Sequence, residues 1–355
     1  MPLLRPLILL LAIAATLAGA AHAAKPQPSQ RCFAAKDPVA CFADLAEGRL
    51  RAVTGAEARA DALGEWLYTA ALIGRRNPEL LAEAQRLAVD EALPPLKRMD
   101  LHYVIDIYAH AADPADDAPF AAAVALFARL DKSLPADDRI GLYFSACSII
   151  AWDPAPREQW LEFAESACAP AILVSLAPES VASQVLVMAM MPVAMAFADD
   201  EEGFSRAVAV ALSWLEAAQK ATRKSRLAER DFVAYMGALI HVFNARGFDA
   251  FEQDYGVDVE VERARRLLQK IEARGGVAGR TATLRREVIE LLAETGRAKD
   301  ARRLLREALQ RVDADARGKA LPVAEQVAFL LQAARLEHAA RAAAFGTCGP
   351  ADVDV

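Results

Sequence analysis

The chain is poor in the residues that mark disordered, fibrous or disulfide-dense proteins, with 17 Gly, 18 Pro and 5 Cys among 355 residues. Its 55% hydrophobic and 25% charged residues supply a core and a solvated surface, which excludes a disordered or collagenous chain. Aromatic residues make up only 7%, few for a cleft that grips sugar rings. Beyond residue 23 no apolar run reaches the roughly 20 residues that a bilayer span requires. The patterns G-x-S-x-G, S-x-x-K, H-E-x-x-H and G-x-x-x-x-G-K-[ST] are all missing, so no catalytic residue and no cofactor is assigned from sequence.

What is present begins at the N-terminus. Arg5, an apolar stretch from Leu7 to Leu17 and the ending Ala21-His22-Ala23 follow the pattern of a secretory signal peptide, residues 1–23, cleaved between Ala23 and Ala24. A short membrane anchor is the alternative, and the stretch is too short for one. Cleavage leaves 355 − 23 = 332 residues and, because Arg5 departs, shifts the formal net charge from −7 to −8. The expected location is the periplasm or the medium, with no transmembrane segment remaining. An acidic balance argues against non-specific nucleic-acid binding. Residues 262–319 nevertheless carry 16 Lys/Arg against 9 Asp/Glu, whereas residues 1–261 carry 23 against 35. That contrast suits either a basic surface for an acidic partner or, since the signs alternate, charges interleaved on exposed helix faces.

Apolar residues recur at helical spacing, as in Leu80, Leu81, Ala84, Leu87, Ala88 and Ala92, and no period-two run is bounded by hairpin turns. The expected fold is all-α. Breakers place first helices near 57, 97, 136, 180, 228 and 281, with partners near 78, 118, 155, 201, 258 and 298. This rhythm predicts a right-handed α-solenoid of about six helical hairpins. A short hairpin over 24–50 precedes the solenoid at 51–345, a C-terminal helix from Pro322 to Phe345 caps it, and 346–355 form a flexible tail. Asn77-Pro78 reads as an N-cap followed by proline at the first helical position. The Ala-Asp-Asp triplets at 115–117, 136–138 and 198–200 read as helix starts, since none has the alternating ligands and glycine of a calcium loop.

Gly296 precedes Ala301, Leu305 and Ala308 across a short turn, and Ala123, Phe127 and Pro135 form a second partial pattern. These residues resemble the tetratricopeptide hairpin, in which small residues let two helices cross closely. The resemblance covers about two hairpins, and the large aromatics of that family's first helix are missing. It implies partner binding on a concave surface and brings no catalytic residues with it.

Cys32 and Cys41 flank Asp37-Pro38 at about one helical turn each, so an antiparallel hairpin brings them level for a disulfide. Cys147 and Cys168 flank Asp153-Pro154 with registers offset by about 10 Å, and bridge only if the second helix bends. Cys348 in the tail is the expected reactive thiol, and the odd count requires at least one unpaired cysteine.

His102, Asp106 and His110 fall at i, i+4 and i+8 of one helix, away from Leu101, Val104, Ile105 and Tyr108. The two histidines stand about 12 Å apart along the axis, so a single ion reaches only an adjacent pair, and no metal is assigned. The stripe is expected to be either a solvated face or a partner-binding, pH-responsive surface. Met188, Met190, Met191 and Met195 suit Cu(I) or, more simply, a buried helix kinked at Pro192. The leading expectation is an exported scaffold that binds another envelope protein or peptide in a groove lined by first helices. The competing one is a polysaccharide-active enzyme of α/α-toroid architecture, whose carboxylates converge from distant positions. Separated chain ends belong to the first, and first and last hairpins in contact belong to the second.

Overall fold

The structure is a computed structural model that describes residues 28–152, 157–167, 278–294, 296–314 and 321–346, with nine further positions between 169 and 269. Among the described residues it is all-α, with eleven helices and no strand. The N-terminal part holds α1 (Pro28–Cys32), α2 (Pro38–Leu50), α3 (Ala56–Leu72), α4 (Pro78–Ala88), α5 (Pro95–His110) and α6 (Ala118–Ser133). Next come α7 (Ala136–Trp152) and α8 (Glu158–Ala167), and after them α9 (Ala278–Glu294), α10 (Ala298–Ala314) and α11 (Val323–Gly346). The expected starts near 57, 78, 97, 118, 136, 155, 281 and 298 each fall within three residues of one of these helices. Those near 180, 201, 228 and 258 lie outside the described residues.

Local chemistry sets the boundaries. Asp37 accepts a hydrogen bond from the Ala40 amide (3.1 Å) and Asn77 from the amides of Glu79 and Leu80 (3.1 and 3.2 Å), with proline following each cap. Helices α3 and α9 end alike, on Gly74 (φ 68°) and Gly296 (φ 71°). Each glycine takes the left-handed turn that lets the next amide, Arg75 or Arg297, reach the carbonyl of Ala70 or Leu292 at 2.8 Å. In the 115–117 triplet the Asp116 side chain bonds the start of α6, through the Ala118 amide (3.1 Å), while the side chain of the N-cap residue Asp117 turns to Arg157.

The helices form two rows. One row runs α9, α11, α3, α5, α7, and the other packs α10, α1 with α2, α4, α6 and α8 against it. Gly141 of α7 allows the close approach to α5, since a Cβ there would sit 2.7 Å from the Leu96 side chain. The order of the rows departs from chain order at one place: α11 stands between α9 and α3, and its principal partner is α2. The two ends of the described chain therefore supply the two helices of one unit.

This corrects the expected capping helix. A cap leaves one face in water, whereas Gln326 to Ala334 of α11 are nine consecutive buried residues, covered by α2, α3, α9 and α10. It also corrects the expected separation of the ends. Arg49 of α2 donates to the Gln326 side chain and to the Val312 carbonyl, Arg341 pairs with Asp37 (3.0 Å), and Arg306 lies over the Phe33 ring (4.8 Å). Phe42, Leu50, Leu63, Trp66 and Phe329 are among the fully buried side chains of the core.

Candidate functional site

Helix α5 lies in the middle of its row, flanked by α3, α4, α6 and α7. Its three polar residues are consequently not a solvated stripe. Asp106 is 1% exposed, accepts a hydrogen bond from Trp160 Nε1 (2.6 Å) and pairs with Arg157 (3.0 Å). Arg157, itself buried, also meets Asp117 (2.7 Å) and the Asp116 carbonyl. Burial raises the pKa of Asp106 against the opposing pull of Trp160, Arg157 and His110. A partner-facing Asp106 is thus overturned: the helical wheel separated it from the largest apolar residues, but α8 covers that side. His102 is half-buried and donates to the Ala88 carbonyl, and the Nδ1 of half-buried His110 is shielded without a hydrogen-bond partner.

A different polar face follows the row of first helices. At its centre Glu65 of α3 accepts from Arg286 of α9 (2.8 Å) and Arg335 of α11 (3.1 Å), and Arg335 also donates to Thr69 (2.8 Å). Arg286 reaches Glu325 as well (3.6 Å). Burial works against the Glu65 charge, but the two guanidiniums outweigh it and hold the pKa below the ordinary carboxylate value. Beside them, burial and then the like charge of Glu290 push Glu287 up to about 7. Further along the row Lys97 pairs with Asp61, and Ser145 of α7 donates to Asp100 (3.1 Å). Burial carries Asp100 up to about 6.

These groups are not sealed in. Glu65 keeps 31% and Asp61 51% of its side-chain surface in solvent. Glu287 and Asp100 are half-buried, and a carboxylate that touches water yet titrates as a desolvated group sits low among its neighbours. The face therefore offers one carboxyl held ionised and another that holds its proton near neutrality, side by side with two fixed cations. That is the division of charge required of an acid and a base, and equally of a recess that grips a polar ligand.

Sequence reasoning missed this cluster because Glu65 is 221 residues from Arg286 and 270 from Arg335. The available signal was weak: charged residues set directly against long apolar runs, Glu65 beside Trp66 and Arg335 after Ala334.

Cys32 and Cys41 are joined as expected from their spacing, with Cα atoms 5.3 Å apart and sulfurs at disulfide distance. Cys147 belongs to α7, but its side chain, Cys168 and Cys348 fall outside the described residues, as do Ala23, Ala24 and the methionines of 188–195. Among the described residues no group of three His, Cys, Asp or Glu is placed to hold a metal ion, and no helix is long and apolar enough to cross a membrane. No family model, curated protein or solved structure matches the chain.

Proposed function

We propose that this protein is an exported α-hairpin scaffold of the bacterial cell envelope, tetratricopeptide-like in its later hairpins, that binds an envelope protein or peptide along its first helices. The observation that carries the reading is the alignment of Asp61, Glu65, Lys97, Asp100, Ser145, Arg286 and Glu287 on helices from successive units. A row of polar groups drawn from successive described units suits an extended ligand better than a compact one. The Cys32–Cys41 bridge is in keeping with an oxidising compartment, and the A-x-A pattern with export.

A photo-crosslinking residue at Asp61, compared with one at Val89 on the far surface, tests this in intact envelopes. A reproducible protein adduct from Asp61 alone is expected. Equal adducts from both positions, or none, would refute the reading.

A second reading, a polysaccharide-active enzyme of α/α-toroid architecture, is favoured by two observations: the contact of the first and last helices in the unit shared by α11 and α2, which a toroid predicts and an open solenoid does not, and the opposed titration of Glu65 and Glu287; the scaffold reading rests on the polar face and not on the course of the chain. Release of reducing ends from envelope polysaccharide by the purified chain, abolished in Glu287→Gln, would decide for it.

A further inference from the structure

Helix α10 turns a stripe of one sign to solvent. Lys299, Arg303, Arg306 and Gln310 fall at i, i+4, i+7 and i+11, which is one side of the helix, and all four are exposed, as is Arg311 beside them. The acids of α10 stand off that line and are answered locally: Asp300 meets Arg303 (3.1 Å), and Glu307 meets both Arg303 (3.3 Å) and the buried Arg285 of α9 (3.5 Å). Among the described residues, neither Lys299 nor Arg306 has a carboxylate within ion-pair distance.

The N-terminal hairpin continues the face. Gln30 of α1 donates to the Arg306 carbonyl (3.4 Å), and the Arg306 guanidinium lies over the Phe33 ring (4.8 Å). Stacking occupies one face of that guanidinium and leaves the donors in its plane open. Exposed Lys36 follows in the turn, also without a carboxylate partner among the described residues. Helix α11 ties the two parts together, since Glu337 and Arg341 stand one turn apart on it: Glu337 meets Arg302 of α10 (3.1 Å), and Arg341 meets Asp37 beside Lys36 (3.0 Å). Lys36, Lys299 and Arg306 thus remain as uncompensated cations on a chain whose net charge is −7.

The chemistry of the stripe separates two kinds of anionic partner. Protein interfaces are built on an apolar, aromatic centre from which charge is depleted, and the exposed positions of the stripe offer no apolar side chain for such a centre. A layer of lipid headgroups needs only positive charge and donors for phosphate oxygens. We propose that the face formed by α10 and the N-terminal hairpin, through Lys36, Lys299 and Arg306, docks this protein on an anionic phospholipid surface. The course of the chain agrees: only residues 18–27 separate the apolar N-terminal stretch from α1, a reach of at most about 36 Å when fully extended. The first helix to follow the membrane-bound stretch is therefore the one that lies on this face. That last argument rests on the export reading proposed above, whereas the charge pattern stands without it.

The test is sedimentation of the mature chain, residues 24–355, with vesicles of phosphatidylcholine alone or mixed with phosphatidylglycerol, at low and at physiological salt. Binding to the mixed vesicles alone is expected, weakening as salt is raised. Lys36→Gln and Lys299→Gln change exposed side chains and are expected to leave the melting temperature unchanged while weakening the binding about fivefold each and about thirtyfold together. Arg86→Gln, which removes an exposed cation of α4, is expected to bind as the parent does. The proposal is overturned if the chain does not sediment with the mixed vesicles, or sediments equally with phosphatidylcholine alone. It is overturned equally if the double variant binds as the parent does, or if Arg86→Gln weakens binding as much as Lys299→Gln. Soluble polyglutamate that displaces the chain at matched charge would assign the face to an acidic protein instead. Cell fractionation reads the export separately: a chain that stays in the cytoplasm yet binds the mixed vesicles supports the docking and refutes the export reading alone.

Discussion

A carboxylate with 1% of its surface in water is tolerated only when it is paired, and Asp106 depends on one guanidinium and one indole for that. Replacing Arg157 with Met strands the charge and is expected to cost about 3–5 kcal/mol in urea unfolding at neutral pH. Adding Asp106→Asn to that variant removes the stranded charge and should recover part of the loss, so the two changes are non-additive. Glu287 works in the other direction. Its folded pKa, about 7, lies above the ordinary glutamate value, so the folded chain keeps a proton that the unfolded chain releases. Stability should therefore fall as pH rises from about 4.5 to about 7. Urea midpoints across that range are expected to show the decline and Glu287→Gln to flatten it. Glu65, held low by its arginines, contributes stability that is lost only as pH falls below the ordinary glutamate range.

At the scale of helices, the sequence was legible where a boundary has a local cause. Asn77-Pro78, Asp37-Pro38 and Gly296 fix their termini by satisfying end groups of the backbone, and each stands where the sequence placed it. The bridge between α1 and α2 belongs here too, because nine residues of separation and one break set its register. Closing so short a loop stabilises by about 2.5 kcal/mol on the chain-entropy account. The Cys32→Ser, Cys41→Ser double variant is expected to lose about that much, read as a lowered urea midpoint. The unfolded mature parent should label no more than three cysteines, and five would show that the bridge does not form. The faces of α5 were not legible, because three hydrophilic residues in helical register look the same whether water or a neighbouring helix lies beyond them.

At the scale of the molecule, the decisive feature is α11. In an open stack the last helix is dispensable to distant units, whereas here it is the neighbour of α2 and α3. Ending the chain after residue 320 exposes the apolar surface that Val327, Phe329, Leu330 and Leu331 cover. The expected result is loss of a single cooperative thermal transition across the whole chain, followed by far-UV circular dichroism. Retention of the parent transition for the N-terminal helices would mean that α11 is a cap after all.

Among the described residues, the all-α class, the helix starts and the Cys32–Cys41 bridge were determined by the sequence itself, since each depends on spacings of a few residues: a 3.6-residue period, a cap and a turn. Tertiary structure alone decided which helix covers Asp106, that α11 joins α2 in one unit, and that Glu65, Arg286 and Arg335 form one cluster. Those outcomes depend on which apolar faces meet when the two ends of the chain are packed together, and residues more than 200 positions apart leave no local periodicity from which to read it.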